Sequence, residues 1–80
     1  MKVKENIAIS DNGFVFNPTT GDSFTLNNTG KEILLLIKGG KSMGEIKTTL
    51  LSSYDMDETT LDRYLLDFVS ELRFNNLIDE

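Results

Sequence analysis

The sequence predicts an α+β fold in which a three-stranded antiparallel sheet is followed by three helices. Three observations carry this. The hydrophobic pattern alternates up to Leu26 and takes a helical period after it. Turn residues, Asn12-Gly13 and Pro18 to Gly21, separate the short β-rich runs. Helix start signals recur after Leu26, at Thr29-x-x-Glu32 and Ser42-x-x-Glu45, with a Gly39-Gly40 stop between them. Strands and helices are thus segregated along the chain, which argues against a parallel α/β fold.

Ile7-Ala8-Ile9 reads as the first strand, and Asp11-Asn12-Gly13 supplies a tight turn that tolerates positive φ. Phe14-Val15-Phe16 is the second strand. Pro18 fixes φ early in the next loop, and Gly21 can take the left-handed position at its end. In Ser23-Phe24-Thr25-Leu26 the alternation points Phe24 and Leu26 inward and Ser23 and Thr25 outward.

The first helix is capped by Asn27, Asn28 or Thr29, carries Ile33-Leu34-Leu35-Leu36-Ile37, and stops at Gly39-Gly40. In the second, Met43, Ile46, Leu50, Leu51 and Tyr54 form an amphipathic stripe. The third starts near Asp57, where Asp57 and Glu58 suit the positive end of the helix dipole, and runs to about Asn75. Its stripe is Leu61, Tyr64, Leu65, Phe68, Val69 and Leu72, with Leu66 lying off it.

Eighty residues make a single domain, 1–80, with one core. Such a chain buries only roughly 60 to 65 % of its unfolded surface, so a large catalytic cavity is not expected. There is no Cys and no His, which removes thiolate chemistry, the commonest metal ligand and the usual acid/base residue at neutral pH. Neither a nucleophile-and-base signature nor a Walker or dinucleotide motif is present, so no enzyme and no cofactor is expected. A calcium loop beginning at Asp55 would need Gly and Glu where Thr60 and Leu66 stand, so no metal is expected either. The longest apolar run is Ile33 to Ile37 and no signal-peptide h-region follows Met1. The expectation is a cytoplasmic protein without membrane attachment.

The net charge is −5 and unevenly placed. Residues 1–54 hold six Lys against five acids, whereas residues 55–80 hold eight acids against Arg63 and Arg73. A polyanion is repelled by the C-terminal third, and a basic or amphipathic peptide is not.

Leu26-Asn27, Gly30, Ile33-Leu34, Gly39-Gly40, Glu45-Ile46 and Tyr54, in this order and spacing, resemble the PqqD-like family, also called RiPP recognition elements. The likeness spans roughly Ile7 to Ile78. It departs at Gly30, where the family often has Ala, and at Lys38-Gly39, where Asp-Gly is common. The resemblance implies a winged-helix-like fold that binds the leader segment of a ribosomally synthesised precursor peptide. It also implies presentation of that peptide to a modifying enzyme, in some pathways a radical S-adenosylmethionine enzyme. The leader would add as a strand beside the third strand, with its side chains in the cleft toward the third helix.

The residues themselves are compatible with peptide capture. A strand that leads straight into a helix can be a sheet edge, with backbone groups open to an incoming strand. Asp22, Ser23, Phe24, Thr25 and Leu26 form that candidate edge. On the third helix the candidates are Leu61, Tyr64, Leu65, Leu66 and Phe68 for apolar contact, and Asp62 and Asp67 as acids at the rim. An aromatic stripe at helical spacing is more often plain core, and Ser23 and Thr25 are more valuable for their backbone than for their side chains.

Two other functions fit the same elements. Helices two and three could form a DNA-binding helix-turn-helix, but Asp57 to Arg73 carries five acids against two arginines, so nucleic acid is not expected. An exposed edge can also pair with its own copy, which keeps a homodimer or structural module open.

Overall fold

The computed structural model describes residues 1–79. Its elements are β1 (Lys2–Val3), β2 (Ala8–Ile9), β3 (Phe14–Asn17), β4 (Asp22–Thr25), α1 (Asn28–Lys38), α2 (Met43–Ser53), α3 (Glu58–Phe74) and β5 (Ile78–Asp79). The expected sheet is β2-β3-β4, all antiparallel, and the expected three helices follow it.

A second ribbon was not foreseen: β1 pairs antiparallel with β5, Lys2 opposite Asp79 and Val3 opposite Ile78. Each strand has two residues, too few to show alternation, so the pairing has no local signature. It brings the N-terminal segment against the segment that follows α3.

The two hairpins follow from their turn residues. Ile9 faces Val15, and the Ser10 amide donates to the Phe14 carbonyl at 2.8 Å. Asp11, Asn12 and Gly13 therefore form a three-residue loop, and only Gly13 takes positive φ, at 84°. The Asn-Gly pair thus makes a turn plus left-handed glycine and not a two-residue mirror turn. A Cβ on Gly13 would also run into the Leu26 carbonyl oxygen. In the second hairpin Asn17 is opposite Asp22 across Pro18 to Gly21. Asn17 is buried; its Oδ1 accepts from the Thr19 amide at 3.0 Å and its Nδ2 donates to the Asn76 carbonyl at 3.4 Å.

Each helix is capped by its own sequence. Asn27 is the N-cap of α1, accepting from the Gly30 amide at 2.8 Å, and this resolves the three candidates. Ser42 and Glu45 form a reciprocal capping box on α2, which holds the Glu45 carboxyl below its usual range through its bond from the Ser42 amide. Asp57 caps α3, and its hydrogen bonds from Thr60 lower its pKa. At its end α1 turns through Gly40, at φ 82°, with the Lys41 amide returning to the Leu36 carbonyl at 3.1 Å. Helix α3 ends the same way with Asn76 at φ 59° in place of glycine, and the Leu77 amide returns to Leu72 at 2.9 Å.

The core gathers Val15 from the sheet, Ile33, Leu34 and Ile37 from α1, Ile46 and Leu50 from α2, and Leu61, Leu65, Phe68, Val69 and Leu72 from α3, with Ile7, Leu77 and Ile78 closing it. The stripe of α2 is narrower than its sequence suggests, because Met43 and Leu51 remain exposed. Lys47 joins α2 to α3 through Asp62 at 2.8 Å and Glu58 at 3.1 Å. The Tyr54 hydroxyl donates to Glu32 Oε2 at 2.8 Å, tying the α2–α3 turn to α1; that bond raises the Tyr54 pKa.

Candidate functional site

The strand order leaves β4 with one edge on β3 and the other open. Leu26 N–H donates to the Gly13 carbonyl at 2.8 Å and so faces β3. Because backbone groups alternate along a strand, those of Phe24 also face β3 and those of Ser23 and Thr25 point away from it. The inner face aligns Ile9, Val15 and Phe24, and Ser23 falls on the opposite face with Ala8 and Phe16.

The open edge borders a groove whose far wall is α3. One part of it, a cavity of about 270 Å³, is lined by Thr25, Leu26 and Asn27 on one side and Tyr64, Asp67, Phe68 and Glu71 on the other. An adjoining cavity of about 190 Å³ is lined by Phe24, Thr25, Leu26, Phe68, Glu71, Leu72, Asn75 and Leu77. Tyr64 and Phe68, one turn apart on α3, stack with ring centroids 6.0 Å apart and planes 13° from parallel. Asp67 and Glu71 bring negative charge to this wall.

The structure divides the residues singled out in the sequence. Phe24, Thr25, Leu26, Tyr64, Asp67 and Phe68 meet at the groove. Asp22 and Ser23 lie exposed at the start of β4. Leu61 and Leu65 are on the core side of α3, 0 % and 3 % exposed. Asp62 is engaged by Lys47, and Leu66, 66 % exposed, lies outside the lining of the groove. Asn27, Glu71, Leu72, Asn75 and Leu77 join the lining without having been singled out. Glu71 and Leu72 repeat Asp67 and Phe68 one turn on, a signal the helical period contains. Leu77 follows the left-handed turn at Asn76 and had no such signal.

Among the described residues no group of three or more acidic residues is placed to hold a metal ion. No helix among them is long and apolar enough to cross a membrane.

Fold and site together define a small α+β domain with a groove between an open strand edge and a helix. The chain belongs to the PqqD family, described as coenzyme PQQ synthesis protein D, whose model matches residues 13–78. It is similar to TbiB1, solved in complex with the TbiA(beta) leader peptide, at 29 % identity and a TM-score of 0.89, covering 99 % of this chain and 95 % of that one. It shares the fold of lasso peptide synthetase B1, solved with its leader peptide, at 23 % identity and a TM-score of 0.83, covering 95 % and 93 % of the two chains. No curated protein matches the chain.

Proposed function

We propose that residues 1–80 act as one stand-alone domain that captures the leader segment of a ribosomally synthesised precursor peptide and presents it to a modifying enzyme. The observation that carries this reading is the open edge of β4 facing the groove of α3. An extended peptide adding there would pair with the outward backbone groups of Ser23 and Thr25, and its alternate side chains would enter the groove. Membership of the PqqD family and likeness to TbiB1, solved with a leader peptide, support the same assignment.

The peptide contacts are Phe24, Thr25, Leu26, Tyr64, Asp67 and Phe68, joined by Glu71 and Leu72. Asp22 and Ser23 extend the pairing edge. Leu61 and Leu65 serve indirectly, by fixing α3 against the core. The domain performs no chemistry of its own. By holding the leader while docked to the enzyme, a radical S-adenosylmethionine enzyme in some pathways, it raises the concentration of the peptide's reacting segment at the active site. The cytoplasm, where the precursor is made, is the place of action.

Chemical-shift mapping of the ¹⁵N-labelled chain against leader peptides encoded beside its gene tests this. Perturbations gathered on 22–27 and on α3 from Tyr64 to Leu72 are expected. A response confined to other surfaces, or obtained only with duplex DNA or a second copy of the chain, would overturn it.

A further inference from the structure

The groove differs in character along its length. From Phe24 in β4 to Asn27 at the start of α1, the facing segment runs back from Asn75, just past α3, to Tyr64. At the Phe24 end the walls are mostly apolar, Phe24, Leu26, Phe68, Leu72 and Leu77, with Thr25, Asn75 and the shared Glu71 at their border. At the Asn27 end Tyr64 and Phe68 supply stacked rings, and Asp67 and Glu71, one turn apart, supply two carboxylates.

Three other acids on the surface have cations beside them: Glu58 and Asp62 share Lys47, and Asp79 lies 3.8 Å from Lys4. Among the described residues neither Asp67 nor Glu71 has an ion pair. Two like charges on adjacent turns beside a ring stack suit a long cationic side chain. Its stem can lie on the rings while its head reaches the carboxylates.

Resting on the capture reading above, we infer that the groove selects an extended peptide bearing a Lys or Arg two residues from a large apolar side chain. The apolar residue occupies the Phe24–Leu72–Leu77 end and the cation occupies the Tyr64–Asp67–Glu71 end. Residues i and i+2 of a strand point the same way, about 6.8 Å apart, so the two ends of one groove are read by alternate residues of one strand. The residue between them faces away from the groove and is not selected there.

Random twelve-residue peptides displayed on phage, selected on the wild-type chain and on the Asp67→Asn, Glu71→Gln double variant, test this. Both replacements are exposed and conserve shape, so the variant folds as the wild type does. Wild-type selection is expected to enrich an apolar residue and a Lys or Arg two positions apart, in one chain direction. The variant is expected to keep the apolar preference and lose the basic one. Replacing the selected Lys or Arg by Gln in a resynthesised peptide should weaken binding to the wild type about fivefold at low salt, less at high salt, and leave binding to the variant unchanged. Enrichment of the apolar residue alone, or a basic preference that survives in the variant, overturns the inference and leaves capture standing. If no selected peptide perturbs Ser23 and Thr25, capture fails and the inference falls with it.

Discussion

The ring of Phe68 rests against Gly30: a β-carbon on Gly30 would stand 3.2 Å from both Cε1 and Cζ of that ring. Glycine at this position of α1 lets an aromatic wall of the groove sit deep, so residue 30 sets the groove's depth without lining it. Gly30→Ala should favour the helix by up to about 1 kcal/mol while pushing Phe68 toward the groove. The expected outcome is a thermal midpoint close to wild type with weaker leader binding, measured by calorimetry on the wild type and the variant.

Ser23 and Phe24 are neighbours whose amides face opposite ways. Ser23→Pro removes an outward N–H, which edge strands tolerate, and Phe24→Pro removes one that faces β3. Ser23→Pro should leave a cooperative unfolding transition and weaken peptide binding about tenfold, whereas Phe24→Pro should lose the fold itself. Circular dichroism melts beside titration calorimetry separate the two.

Leu61 and Leu66 lie on the same helix with opposite surroundings, 0 % and 66 % exposed. Leu61→Ala should cost about 2 to 5 kcal/mol, a large share of the stability of an 80-residue chain. Leu66→Ala should stay within about 0.5 kcal/mol, as exposed substitutions do. Urea denaturation of both variants checks the contrast.

The two carboxylate caps predict the acid limb of the stability profile. Hydrogen bonds from Ser42 lower the Glu45 pKa and those from Thr60 lower that of Asp57. A depressed folded pKa contributes stability above the unfolded value, and that contribution is lost as pH falls through the folded one. Stability should therefore decline below about pH 4, and Asp57→Asn should flatten part of that decline. Lys47, raised first by Asp62 and then by Glu58, has the reverse sign: its contribution is lost only as pH rises beyond the ordinary lysine range. Denaturant melts across pH measure both limbs.

Much of the fold was legible because its signals are local. Capping boxes, turn glycines and the change of period at Leu26 each act within a few residues. The β1–β5 ribbon was not legible, since Val3 and Ile78 meet only after the whole domain has closed. On α3 the period separated the apolar stripe from Leu66 but could not divide that stripe by depth. Leu61 and Leu65 share it with Tyr64 and Phe68, and which of them borders the groove depends on where β4 ends. Likewise Asp62 and Asp67 are equivalent acids in sequence, and only the approach of Lys47 from α2 distinguishes them.

The most direct test of strand addition at β4 is amide hydrogen exchange of the 80-residue chain with and without a leader peptide. Leader binding is expected to slow exchange at Ser23 and Thr25, whose N–H groups face outward, more than at Phe24, whose N–H already faces β3. Unchanged exchange at Ser23 and Thr25 at a saturating peptide concentration would contradict capture at this edge.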